Sequence, residues 1–178
     1  MSKNKCGHKA GPDCIICNDP ADTEVTKHVA VVYQLMDQAP TLIAAQLVDT
    51  NAATSMFMEA LGYTAHDFVP EPGVVNRLSK LVLIATNTAA QMVRLVDPRE
   101  EIILKPQPGW REEHLLSARL LMAAANRDPD MVSDLLVAAL AGDDAREQVV
   151  TLANLLYLQV TAAWKAREVA KAKGTVAT

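Results

Sequence analysis

The longest helical pattern in the sequence is the stretch from Ala145 to Ala172, which reads AREQVVTLANLLYLQVTAAWKAREVAKA. At about 100° per residue, its apolar residues spread over most of the helix circumference; they are Val149, Val150, Leu152, Leu155, Leu156, Leu158 and Val160. Such a helix either lies at the centre of its own bundle or shares a face with a partner. The sequence therefore predicts one of two arrangements, a central helix or a homodimer formed through residues 145–172.

Five further segments show helical periodicity, and strand signals are nearly absent apart from the short run Glu101–Leu104. The fold class that we predict is all-α, an irregular multi-helix bundle of about six helices with a short zinc-binding knuckle at the N-terminus. Residues 20–178 are expected to form the helical domain, which ends in a basic tail. The predicted helices cover about residues 20–37, 41–61, 74–96, 110–127, 129–141 and 145–172.

Proline and glycine mark the predicted helix ends. Three Asp-Pro pairs combine a side chain that can cap a helix with a proline suited to its first turn; they are Asp19-Pro20, Asp97-Pro98 and Asp128-Pro129. Pro40 is expected to end the first helix or begin the second, because proline lacks the backbone N–H that a helix interior needs. Gly62 is expected to end the second helix.

A dense set of metal-binding side chains lies near the N-terminus, in residues 1–19. Four donors fall within twelve residues, in the pattern C-x-H-x5-C-x2-C; they are Cys6, His8, Cys14 and Cys17. Zinc prefers four thiolate or imidazole donors at about 2.0–2.3 Å in a tetrahedron, and Gly11-Pro12 supplies the chain reversal that the pattern requires. Four protein ligands leave no open position, so we predict a structural zinc ion. An iron–sulfur cluster with the same four ligands is the less favoured alternative.

Residues 6–17 resemble half of a cross-braced zinc domain such as a RING finger, which also contains Cys-x-His and Cys-x2-Cys. The second set of ligands is missing from this sequence, whose three cysteines all lie in that segment. We therefore transfer no property of that family to the chain.

Composition and charge exclude several classes of protein. No run of about 18 uncharged apolar residues exists, which argues against a membrane span, and the first residues lack the apolar core of a secretory signal. A cytoplasmic location is the resulting expectation. The net charge of −4 argues against a general nucleic-acid binder. The last residues are nevertheless basic, with Lys165, Arg167, Lys171 and Lys173 against a single acid, Glu168.

Signatures of catalysis are missing from the sequence. It contains no phosphate-binding glycine motif, no G-x-S-x-G and no H-E-x-x-H. Among the remaining histidines, His28 is expected to be exposed on its helix, and His66 and His114 are weak candidates for acid–base chemistry. Four arginines, Arg77, Arg94, Arg119 and Arg127, do not form one basic face.

Three functions follow, in order of preference. The first is a non-enzymatic, zinc-stabilised helical protein that binds another macromolecule and could have a regulatory role. A protein partner is favoured over nucleic acid. The second is a DNA-associated regulator that uses the basic knuckle and the C-terminal tail. The third is a small-molecule-binding or enzymatic bundle. The sequence does not identify the partner.

We predict one zinc ion per chain, because Cys6, His8, Cys14 and Cys17 form the only dense donor set in the sequence. Metal analysis of protein purified without added metal should give about one equivalent, and Cys17→Ser should lose it. Less than about a third of an equivalent, with no recovery on zinc addition, would contradict the site. Chelation should leave most of the helical circular dichroism intact, since residues 20–178 carry their own helical pattern.

Overall fold

A computed structural model describes residues 20–63, 72–99, 101–142 and 144–176. Within these ranges the protein is all-helical, with six helices and no strand. The prediction of an all-α bundle of about six helices is confirmed, and its zinc knuckle lies outside the described residues. The helices are α1 Pro20–Val48, α2 Thr50–Ala60, α3 Pro72–Val96, α4 Glu112–Ala125, α5 Pro129–Ala139 and α6 Ala145–Ala172.

The last helix, α6, lies at the centre of the bundle. Its most extensive contact is with α3, and it also packs on α1, α4 and α5. Five of the seven apolar residues that spread around it are buried inside the chain: Val149, Leu152, Leu155, Leu156 and Val160. Leu158 is partly buried, and Val150 remains 55% exposed. Neighbouring helices therefore cover most of the apolar surface that pointed to a partner.

Helices α3, α4 and α6 run in the same direction. Lys173 donates from Nζ to the carbonyl of Val96 at 3.1 Å, which places the C-terminal ends of α6 and α3 side by side. Gln159 of α6 is fully buried and donates from Nε2 to the carbonyl of Ser117 on α4 at 2.9 Å. Arg94 donates to the carbonyl of Ala125 at 2.6 Å, near the ends of α3 and α4.

The connection between α3 and α4 returns along α4 without forming a helix in its described part. Asn126 holds it at both backbone groups of one residue: Oδ1 accepts from the N–H of Ile102 at 2.8 Å, and Nδ2 donates to the carbonyl of Ile102 at 3.0 Å. Ile102 is buried as a result. The segment Glu101–Leu104 is neither a strand nor a helix.

Two predicted helix boundaries are wrong. Pro40 lies inside α1, because buried side chains on both sides of it, including Met36, Ala39 and Leu42, hold the helix in the core despite the missing N–H. Asp97-Pro98 starts no helix, because the Asp97 carboxylate accepts from Arg99. That side-chain hydrogen bond lowers the pKa of Asp97 below its usual value.

Other predicted boundaries are confirmed. Asp128 caps α5 by accepting from the N–H of Met131 at 3.0 Å, with Pro129 in the first turn. The bounds predicted for α6 match those observed, and the Asp144 side chain caps its start. The second predicted helix stops before Gly62, which has a φ of +81°.

Truncation of Leu155 tests the central position of α6. Leu155→Ala removes a fully buried side chain and should lower the free energy of unfolding by about 2–5 kcal/mol, as measured by urea denaturation. Val150→Ala on the same helix is the control and should change it by less than about 0.5 kcal/mol. Equal effects of the two substitutions would contradict a central α6.

Candidate functional site

One side of α3 faces outward along about half of the helix. Leu83, Asn87, Gln91 and Leu95 follow one another at intervals of four residues, and all four are exposed. From Leu83 to Leu95 this row is about 18 Å long, at about 1.5 Å per residue. The opposite side of α3 is buried against the core, so the row is the free face of a firmly held helix.

The end of α4 and the whole of α5 form a second wall beside this row. Two adjoining depressions lie between the walls, with volumes of about 710 and 680 Å³. They share Asn87, Ala124 and Arg127. We call the two depressions together the α3 groove. The end nearest Leu83 is lined by the apolar residues Val132, Leu136, Val137 and Leu140 of the α5 segment.

Large apolar side chains remain exposed along the α3 groove because α5 is weakly embedded. Val132 is the buried residue of that helix. Val137 is 66% exposed, while Leu83 and Leu95 on the opposite wall are 40% and 46% exposed. A third depression, of about 490 Å³, lies beyond α5 and is bordered by exposed Ile103 and Met131. Helix α5 thus stands as a ridge with an open cleft on each side.

Arg127 occupies a glycine-like position at the centre of the groove. Three helices end in the same hydrogen-bond pattern, in which the residue after the helix cap takes a left-handed conformation. In α2 and α6 that residue is glycine, Gly62 and Gly174; in α4 it is Arg127, with a φ of 59°. Within the described ranges, Arg127 is the only non-glycine residue with positive φ.

The guanidinium of Arg127 is uncommitted in the described part of the chain, where it forms no ion pair. Its neighbours in the groove have structural partners. Arg94 donates to the carbonyls of Ala125 and Arg99, and Asp128 caps α5. Arg127 is exposed, carries backbone strain that glycine would avoid, and lines both depressions.

The predicted zinc ligands Cys6, His8, Cys14 and Cys17 lie outside the described residues. The part of the chain that the structure describes contains no other group of three or more His, Cys, Asp or Glu side chains able to hold a metal ion. The zinc site therefore stays a prediction.

The described histidines lie away from the α3 groove. His28 is buried, not exposed as predicted, because its Nδ1 lies 2.8 Å from the carbonyl oxygen of Glu24 and its ring turns into the bundle. His114 stacks at a tilt on Trp110, with ring centroids 6.4 Å apart. Neither forms an ion pair with a described carboxylate. His66 lies outside the described residues.

The basic residues at the end of α6 are largely engaged within the chain. Arg167 pairs with Asp37 at 2.9 Å, Lys171 pairs with Glu168 at 3.1 Å, and Lys173 donates to the Val96 carbonyl. Two of the four tail cations are thus paired with carboxylates, while Lys173 keeps its charge in the hydrogen bond to a carbonyl and Lys165 has no such contact with the described residues. Two uncompensated cations make a small electrostatic footprint for nucleic acid.

Sequence reasoning missed the α3 groove. The four-residue spacing from Leu83 to Leu95 was visible, but whether that row is inside or outside depends on which side of α3 meets α6. A second signal was the Arg127-Asp128-Pro129 turn: a helix end followed at once by an Asp-Pro start demands a tight reversal, where glycine is usual.

Comparisons with family models, with curated proteins and with solved structures give no match to this chain. Among the described helices, none combines the length and apolarity needed to cross a bilayer.

Replacement of Arg127 measures its backbone strain. Arg127→Gly should raise the free energy of unfolding by about 0.5–1 kcal/mol, because glycine adopts positive φ without a Cβ clash. The converse control, Gly62→Ala, should lower it by about 1 kcal/mol. Urea denaturation measures both. A less stable Arg127→Gly variant would mean that the guanidinium supports the fold, contrary to this description.

Proposed function

We propose that this protein is a non-enzymatic helical protein that acts by binding another protein through the α3 groove. The observation that carries the proposal is the set of large apolar side chains left exposed at the two ends of one groove, Leu83 and Val137 at one end and Leu95 at the other. Exposed apolar side chains set among polar groups in one groove are typical of protein interaction sites.

The build of the groove favours a protein partner. Its long wall is a helix fixed to the core along its inner side, so the outer face is rigid before binding. Rigid surfaces lose less conformational entropy on association. An open groove between helices, with leucines about three helical turns apart on its long wall, suits an amphipathic helix laid along it.

The remaining contacts support binding over catalysis and over DNA contact. The described histidines lie away from the groove and form no ion pairs with described carboxylates. Three of the four tail cations have partners inside the chain. These features favour a protein partner over nucleic acid.

A structural zinc ion belongs to the same proposal. Cys6, His8, Cys14 and Cys17 would hold it, and the ion would fix the segment that precedes α1. Thiolate and imidazole donors match the preference of zinc, and four of them complete its coordination. The role that we propose for the segment is a second contact surface for the partner, with a regulatory outcome.

Self-association through residues 145–172 is left with little surface to support it. Neighbouring helices bury five of the seven apolar residues of α6, and Val150 is the one that stays exposed. The groove is therefore the better candidate for an interface, and Val150 serves as the comparison site.

Charge substitutions in the groove test the proposal. Tagged wild-type protein, Leu83→Glu, Val137→Glu and Val150→Glu are expressed in the native cell, and the co-purified proteins are quantified. The groove variants should lose at least about 90% of a partner that wild type and Val150→Glu retain, because a buried unpaired carboxylate costs several kcal/mol at an interface. Thermal melts confirm that each variant is folded. Identical partner recovery for all four proteins would contradict the groove.

A further inference from the structure

The lining of the α3 groove changes character along its length. One end is apolar, with Leu83 facing Leu136 and Leu140 across the groove. The middle is polar and carries the amides of Asn87 and Gln91 beside the guanidinium of Arg127. The other end carries Leu95 and Ala90 beside Arg94, whose guanidinium donates to the carbonyls of Ala125 and Arg99. Leucines at both ends and the cation of Arg127 between them define what an occupant must present, while Asp128 and Arg94 in the same lining are held by the α5 cap and by backbone carbonyls.

The length of the groove matches about three turns of a helix. On a bound helix, residues i and i+11 lie on the same face about 16 Å apart, close to the 18 Å row from Leu83 to Leu95. Residues i+4 and i+7 fall between them on that face. A helix with apolar residues at i and i+11 would place one of those central positions near Arg127.

We propose that the α3 groove binds a partner helix that carries an Asp or Glu at its centre, paired with Arg127, and apolar residues at both ends. This inference rests on the proposed function and adds the chemistry of the partner. Guanidinium and carboxylate form two parallel hydrogen bonds, a geometry that lysine cannot supply. Asn87 and Gln91 add amide donors beside the same position.

The strained backbone of Arg127 is an independent observation for this role. The same turn is built with glycine at Gly62 and at Gly174, so the fold itself does not need a side chain there. What the arginine adds is a cation on a residue that lines both depressions. Strain that persists in one of three equivalent turns indicates that this side chain serves binding.

A second copy of the chain is a poorer occupant. The ridge that would enter the groove of another copy is α5, whose exposed outer face carries Asp130 and Asp134 beside Val137. In a two-fold arrangement, whether the α5 helices lie parallel or antiparallel, Asp134 at the middle of one would lie near Asp134 of the other. Like charges in that position oppose association.

The experiment starts from a displayed library of 16-residue helical peptides, selected on the full-length protein and counter-selected on Leu83→Glu. Enriched peptides should carry apolar residues 11 positions apart and Asp or Glu between them. By fluorescence anisotropy, Arg127→Gly should weaken binding of an enriched peptide by about tenfold, Arg127→Lys less, and Val150→Glu not at all. Replacing the central Glu of the peptide by Gln should weaken binding to the wild-type protein by a similar factor. The same replacement should leave binding to the Arg127→Gly variant unchanged.

The outcomes separate the two proposals. If enriched peptides bind in the groove but lack an acid, or ignore Arg127→Gly, the partner chemistry proposed here is overturned while the groove stands. If no peptide discriminates wild type from Leu83→Glu, both the groove and its occupant are overturned. Arg127→Gly keeps the groove walls and is expected to be the more stable protein, so a loss of affinity in that variant does not arise from unfolding.

Discussion

The contact between α3 and α6 is the interaction on which the remaining structure depends. Small side chains at its centre, Ala85 and Ala89 of α3 and Ala163 of α6, are fully buried, which allows the two helix axes to approach closely. Toward the N-terminal ends of the two helices the core is filled by buried leucines, which are Leu78, Leu81, Leu152, Leu155 and Leu156. With only 4% aromatic residues, the chain builds its core from many such small contacts. The other helices are added to this pair.

The exposed face of α3 follows directly from that contact. Because α6 takes the inner side of α3, and α1 and α4 pack beside it, the row from Leu83 to Leu95 is left outside. The short helix α5 covers it incompletely, since it embeds Val132 and leaves Val137 in solvent. The groove therefore lies between the rigid α3–α6 pair and the short helix α5. The strained turn at Arg127 sets where α5 begins.

The sequence predicts the helices well because their signals are local. Periodicity and caps give the bounds of α6, the start of α5 after Asp128 and the end of α2 before Gly62. The errors occur where tertiary contacts override a local signal. Pro40 stays helical because the residues around it are buried, Asp97 binds Arg99 instead of capping, and His28 turns inward onto the Glu24 carbonyl.

Periodicity leaves the position of α6 open between a central helix and an interface, because it counts apolar residues and cannot name their neighbours. The groove depends on two elements about 40 residues apart in the chain and lies beyond any local pattern. The zinc ligands remain a prediction from spacing alone.

Native-state hydrogen exchange of the full chain tests the account most directly, because it ranks the helices by how they open. The account predicts that the amides of α3 and α6 exchange slowest, with the free energy of global unfolding, and that those of α5 exchange much faster through local opening. Protection of α5 equal to that of α6, or fast local exchange within residues 149–163, would contradict a structure organised around the α3–α6 pair.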